Sequence, residues 1–249
     1  LRWLKPSQGR LRWAPPLRHA GGAARGWRYL AKGLGLLAEI TRAGVPRHVG
    51  ATGLAVLGAG RAEGLRFSCA GQTHEIACDT VLLHHGVVPN TQAARALGVG
   101  HAWDTAQHCF APRTDAWGGT DVAGVLVAGD GAGIGGAEVA EAAGRLAALR
   151  VAHDLGRLSA GALEAAARPL RRAQARARAV RPFLDAAYPP CAEALAPADD
   201  TIICRCEEVT AGAVRGYAAL GCVGPNQAKA FGRVGMGPCQ GRYCGLTVT

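Results

Sequence analysis

Four of the nine cysteines fall into two tight pairs, Cys204-Arg205-Cys206 and Cys239-Gln240-Gly241-Arg242-Tyr243-Cys244. The second pair lies in the glycine-rich run Gly235-Met236-Gly237-Pro238-Cys239-Gln240-Gly241. Cysteines one residue apart face a common centre only if the backbone between them bends, and a second pair must then complete the donor set. Four thiolates are what a [2Fe–2S] cluster takes, and its sulfides also need backbone N–H donors. Gly235, Gly237, Gly241 and Gly245 suit that need, since a glycine loop presents N–H groups without side-chain obstruction. A structural zinc on the same four cysteines is the rival, although zinc knuckles favour a two-residue spacer. An odd cysteine count argues against a complete disulfide framework. Cys69, Cys78, Cys109, Cys191 and Cys222 stand singly in apolar or strand-like settings and read as small buried hydrophobes.

The remaining composition narrows the class. With 249 residues, 49% hydrophobic and 18% charged, the chain suits one large or two small core-forming domains. Its longest apolar stretches, 81–88 and 125–132, fall well short of the roughly eighteen residues a membrane helix needs. The chain begins at Leu1 and its only methionine is Met236, so it reads as part of a longer protein. The formal charge is +10, and Arg2, Lys5, Arg10, Arg12, Arg18, Arg25, Arg28 and Lys32 supply eight of it with no acid among residues 1–32. That arm, interleaved with Trp3, Trp13 and Trp27, lacks helical periodicity. It reads as irregular surface, not as a nucleic-acid interface.

Along the chain, Leu30, Leu34, Leu37 and Ile40 predict an amphipathic helix over 29–42. Alternation through Leu54, Val56, Leu65 and Phe67 predicts a hairpin, and a further run leads into a buried strand at Val81-Leu82-Leu83. Gly58-Ala59-Gly60 imitates a dinucleotide fingerprint, but a strand pattern follows where a phosphate-binding helix should open, so it reads as a turn. Val125-Leu126-Val127-Ala128 predicts a buried parallel strand, followed by the loop Gly129-Asp130-Gly131 and a helix from about 137 to 151. Asp130 would then sit at the carboxyl end of a sheet, where doubly wound folds bind ligands. Two helices broken at Pro169 and Pro182 are expected over 156–188, their arginines forming a solvated face, and short helices over 209–221 and 226–231 should clamp the cysteine loops together. Adjacent histidines on a strand point to opposite faces, so His84 and His85 receive no ligand role.

The stretch Thr201-Ile202-Ile203-Cys204-Arg205-Cys206-Glu207-Glu208-Val209-Thr210, followed by the run from Gly235 to Cys244, resembles the bacterioferritin-associated-ferredoxin-like (BFD-like) [2Fe–2S] domain. The form ending in C-x4-C is similar to the one fused to flavoprotein subunits of heteromeric amine, opine and amino-acid dehydrogenases. Upstream, Asp79 to Asn90 resembles the A-T-G-x-x-P-N signature of pyridine-nucleotide disulfide reductase relatives, with His84-His85 in place of Ala-Thr. The resemblance covers about 29–249. It departs from the family in lacking the N-terminal GxGxxG for the FAD pyrophosphate and a second glycine loop; Gly131-x-Gly133-x-x-Gly136 matches the letters at the wrong end of the site.

This resemblance implies an α/β class, with an incomplete two-dinucleotide-binding-domain flavoprotein reductase fold followed by a small helical BFD-like domain. The implied divisions are a partial FAD/NAD(P)-binding oxidoreductase domain over 1–155, a helical connector over 156–195 and the cluster domain over 196–249. It implies a [2Fe–2S] cluster on Cys204, Cys206, Cys239 and Cys244, and FAD contacted in the complete subunit by Thr120, Gly129, Asp130 and Gly131. Electrons would come from a separate FAD-dependent subunit that oxidises a small amine, opine or amino acid, in a cytoplasmic complex or one peripheral to the membrane. No catalytic residue is assigned. The alternatives are a stand-alone NAD(P)H-dependent FAD oxidoreductase and a structural metal-binding docking module.

Overall fold

The structure is a computed structural model that describes residues 2–6, 18–84, 86–190 and 192–249. Arg10, Arg12 and Trp13 of the basic arm, His85 and Cys191 lie outside the described residues. The chain divides into two compact units, one of residues 1–86 with 179–191 and the other of 87–178 with 192–249.

The first unit is built on a four-stranded sheet in the order β1 (Trp3–Pro6), β2 (Arg47–Leu57), β3 (Gly64–Cys69) and β4 (Gln72–Ala77). Only β1 and β2 run parallel. Its core is Ala51, Leu65 and Phe67; the expected alternation holds on β3, whereas Leu54 and Val56 of β2 are exposed. Gly58 and Gly60 carry positive φ in the β2–β3 connection, and a Cβ on Gly58 would meet the Arg61 carbonyl at 2.1 Å, so this run is the expected turn. Helices α1 (Ala20–Arg25) and α2 (Trp27–Arg42) precede β2. Helix α2 extends the predicted one by two residues, yet it buries none of its residues within the unit.

In the second unit the short helix α3 (Gln92–Ala96) leads to the hairpin β5 (His101–Asp104) and β6 (Cys109–Pro112). A 3-10 turn, Gly129–Ala132, then opens the way to α4 (Ala137–Asp154), which packs against α5 (Ala160–Arg178). Val139, Ala142 and Leu146 of α4 and Leu163, Ala167 and Ala177 of α5 are buried. Helix α6 (Arg181–Ala187) belongs to the first unit, and α7 (Ala192–Leu195), β7 (Ile202–Cys204), β8 (Val209–Thr210), α8 (Ala211–Ala219), α9 (Pro225–Gly232) and α10 (Gly245–Val248) complete the second.

Four expectations fail. The basic arm is not irregular where it is described: Trp3–Pro6 is strand β1, and α1 and the start of α2 carry Arg25, Arg28 and Lys32. Val81-Leu82-Leu83 forms no strand, and Leu82 is 88% exposed. An apolar run is a buried strand only when neighbouring strands take up its backbone groups and cover its faces, and no described segment pairs with it. Val125 to Ala128 likewise makes one antiparallel bridge, Gly119 to Leu126, instead of a parallel strand. Pro169 does not break its helix, since α5 runs through it. A proline there removes an N–H from the Ala165 carbonyl and costs about 3 kcal/mol, which burial of Leu163, Ala167 and Ala177 on the face toward α4 offsets. Pro182 stands in the first turn of α6, where its missing N–H leaves no intrahelical partner unmet.

Among the described residues no helix is long and apolar enough to cross a membrane. The arginines of α5 are not uniformly solvated: the Arg171 guanidinium lies 4.2 Å over the Trp117 ring and pairs with Glu164.

Candidate metal centre

The bend that Cys204-x-Cys206 requires is a tight hairpin. Strands β7 and β8 pair Ile202 with Thr210 and Cys204 with Val209, so Arg205 to Glu208 make the reversal, with Glu208 at φ 52°. Cys204 is buried at the end of β7 and Cys206 is exposed in the turn. Thr210 caps α8 by accepting the Ala213 N–H at 3.2 Å. Glu207 is tied to the far side of the module by Arg233 Nε at 2.9 Å, and its carboxylate raises the guanidinium above its ordinary value.

The second loop closes over the first. Gly235, at φ 80°, donates its N–H to Cys204 Sγ at 3.3 Å. A Cβ on Gly237 would fall 2.2 Å from the Cys206 Cβ, so only glycine allows this approach. Cys206 is hydrogen-bonded to Cys239, and Cys204 to Cys244. The core beneath them consists of Cys204, Val209, Ala228, Val234 and Cys244, with Tyr217, Cys222 and Val248 packed against it.

The four thiols have unlike environments. The backbone N–H of Tyr243 is the strongest influence on Cys239, and together with hydrogen bonds from Cys206, Gly241 and Arg242 it holds this thiol below its ordinary range, against an opposing effect of burial. Burial acts first on Cys244, and with the hydrogen bond and charge of Cys204 and the charge of Cys239 it pushes that thiol up to about 12.

Among the described residues no three His, Cys, Asp or Glu side chains stand together in metal-holding geometry. The cysteines stand instead as two hydrogen-bonded pairs, with Cys239 and Cys244 close enough to feel each other's charge. The donor chemistry nevertheless fits an iron–sulfur cluster. Cys204 and Cys206 from one loop lie beside Cys244 and Cys239 from the other, and the Gly235 N–H is bonded to the Cys204 sulfur, which are the donor types a sulfur-rich centre takes. Of the single cysteines among the described residues, only Cys109 is fully buried; Cys69 and Cys78 are half-buried, Cys222 is half-buried against the module core, and no disulfide joins the described cysteines.

The segment expected to border FAD follows no strand, so Asp130 does not stand at the end of a sheet. The Thr120 hydroxyl donates to the Val125 carbonyl at 2.9 Å and accepts the Val122 N–H at 3.2 Å, closing its own turn. Asp130 is exposed on the 3-10 turn, between Gly129 at φ 72° and Gly131. A Cβ on Gly131 would lie 3.9 Å from the Asn90 carbonyl, so this turn and the Pro89-Asn90 segment are neighbours.

Sequence reasoning missed Gln92. From the start of α3 its side-chain amide donates to the Gln240 carbonyl in the cysteine loop at 2.8 Å, across 148 residues of chain. A lone glutamine carries no motif, and only the fold reveals the contact.

This chain is 45% identical to the A subunit of opine oxidase from Rhizobium meliloti (strain 1021) over 235 residues, covering 94% of this chain and 51% of that protein. It is a relative of the opine oxidase A subunits. It is also 32% identical to the hydrogen cyanide synthase subunit HcnB of Pseudomonas protegens over 177 residues, covering 70% of this chain and 37% of that protein. It spans about half the length of the opine oxidase relatives it matches. The crystal structure of L-proline dehydrogenase from P. horikoshii superposes with a TM-score of 0.59 at 20% identity, covering 86% of this chain and 41% of that one. It shares the mixed helix and strand fold. No family model matches the chain.

Proposed function

We propose that this chain belongs to the electron-transferring flavin and iron–sulfur subunit of a heteromeric dehydrogenase that oxidises an amine, an opine or an amino acid. The observation that carries the reading is the convergence of two cysteine pairs from two loops, with backbone N–H groups facing Cys204 and Cys239. The relatives, by name one component of opine oxidase and one of hydrogen cyanide synthase, support an oxidoreductase built from several subunits.

In this reading Cys204, Cys206, Cys239 and Cys244 hold a [2Fe–2S] cluster, while Thr120, Gly129, Asp130 and Gly131 border FAD in the complete subunit. A [2Fe–2S] cluster supplies one-electron transfer, which lets a two-electron flavin be emptied singly. The chain's own residues prepare that role. The buried pair Cys204 and Cys244 excludes water from one side, Gly235 N–H faces a ligand sulfur, and Gly237 gives the second loop room to approach Cys206. The division into 1–155, 156–195 and 196–249 belongs to the same reading, as does a partner subunit that performs the substrate oxidation in the cytoplasm or at the membrane surface.

The test is the visible and EPR spectrum of the chain purified without oxygen, with iron and sulfide analysis. A [2Fe–2S] signature is expected, lost on Cys→Ser replacement of any of the four and retained on Cys69→Ser or Cys109→Ser. Stoichiometric zinc without iron or sulfide would turn the reading toward a structural docking module. For the partner, the complete subunit should oxidise proline, opines or glycine with an artificial acceptor only beside its neighbouring subunit. Turnover without that neighbour would favour a self-sufficient oxidoreductase.

A further inference from the structure

The loop from Cys239 to Cys244 is anchored mostly to itself. Gln240 sits at φ 53°, donates its backbone N–H to Gly237 O at 2.8 Å and sends its side-chain amide to Met236 O at 3.0 Å and Gly237 O at 3.1 Å, all within four residues. The Gln92 amide is different: it reaches the Gln240 carbonyl at 2.8 Å from α3. That carbonyl shares one planar peptide with the Gly241 N–H, and in a trans peptide the two point in opposite directions. Holding the oxygen from outside therefore fixes where the N–H points, and Gly241 is among the backbone groups that lower the Cys239 thiol from its ordinary value. Gln92 is itself set by Asn90, whose Oδ1 accepts the Gln92 N–H at 3.3 Å, while the Asn90 carbonyl neighbours Gly131.

We infer that Gln92 is a positioning residue, which clamps the Gln240–Gly241 peptide so that its N–H faces the Cys239 sulfur and thereby tunes the cluster's reduction potential. The inference rests on the proposed [2Fe–2S] centre for its consequence and on the Gln92 contact for its geometry. N–H groups facing ligand sulfurs are among the features that set the potential of such clusters, and they favour the reduced, more negative state. The same short segment, Asn90 to Gln92, lies beside the Asp130 loop at one end and is bonded to the cysteine loop at the other.

The experiment uses Gln92→Met, which keeps the length of the side chain and removes the donor without adding charge. The full chain loaded with its cluster should show a more negative midpoint potential and an altered EPR spectrum at unchanged iron and sulfide content. A loss of thermal stability alone, with potential and spectrum as in the wild type, overturns the positioning role. A second measurement guards against a variant that does not load: amide hydrogen exchange on the cluster-free chain. Gly241 to Tyr243 should exchange several-fold faster in Gln92→Met and return toward the wild-type rate in Gln92→Lys, which restores an N–H donor. Unchanged exchange overturns the clamp. If the wild type carries no [2Fe–2S] cluster, the proposed function fails, and exchange still decides whether Gln92 holds the loop.

Discussion

The cysteine module and the Val125-to-Asp130 segment lie in the same unit and answer the sequence differently. In the module, each of the four cysteines sits on an element made by residues close to it in sequence: a hairpin for Cys204 and Cys206, and glycine turns for Cys239 and Cys244. The apolar run before Asp130 makes one isolated bridge, and its carboxylate faces solvent. A ligand loop is specified by turn chemistry within a few residues, whereas a buried parallel strand is specified by neighbours on both sides. The largest expected effect tests the module's half of this contrast. Gly237→Ala places a Cβ 2.2 Å from the Cys206 Cβ, an atom fixed by the backbone. We expect loss of most bound iron, measured after anaerobic reconstitution, and full loading would show that the loops have room to part.

The next effect lies among the thiols. In the reduced, metal-free chain near pH 8, iodoacetamide should modify Cys239 early and Cys244 last. Only the thiolate reacts, and a rise from 9.0 to about 12 lowers the Cys244 thiolate fraction about a thousandfold. The same rise fixes a pH dependence. The folded chain keeps the Cys244 proton after the unfolded chain has begun to lose it, so this contribution to stability is complete below pH 9 and is lost as pH climbs from 9 toward 12. The thermal midpoint of the metal-free chain should fall across that window, and less so in Cys244→Ser. A Cys244 as reactive as Cys239 would mean that the module opens freely without its metal.

Much of this is legible in the sequence, for local reasons. The hairpin around Gly58 to Gly60 and the helices α2, α4, α8 and α9 follow from periodicity and glycine placement. The sequence misleads at 81–83 and 125–128 because an apolar run says that a face wants cover without saying what covers it. It misleads at Pro169 because helix–helix burial outweighs a local breaker. Gln92 is invisible in it because its partner is 148 residues away and neither residue type announces a contact.

Asp130 tests the looser half of the comparison. In the complete subunit, Asp130→Ala should leave the cluster spectrum intact and weaken FAD binding by about 1.5–3 kcal/mol, the worth of hydrogen bonds to a carboxylate. That corresponds to roughly ten- to hundredfold in dissociation constant, read by flavin fluorescence on titration. Unchanged affinity would remove Asp130 from the flavin site and leave the segment as an ordinary surface turn.

The smallest expected effect falls on Leu82 and Leu83, which are 88% and 68% exposed. If their failure to form a strand reflects missing neighbours, these side chains bury little in this chain, and removing them should cost little here. Leu82→Ser and Leu83→Ser should each change the unfolding free energy by no more than about 0.5 kcal/mol, the range for surface positions, while lowering self-association, since exposed apolar patches drive it. The informative comparison is the complete subunit. There the same substitutions should cost about 1.5–3 kcal/mol each if upstream residues bury these side chains. A loss of that size in the present chain would instead mean that Leu82 and Leu83 are already packed, as Val81 is against the Ala51, Leu65 and Phe67 core, and the contrast between the two regions would fall.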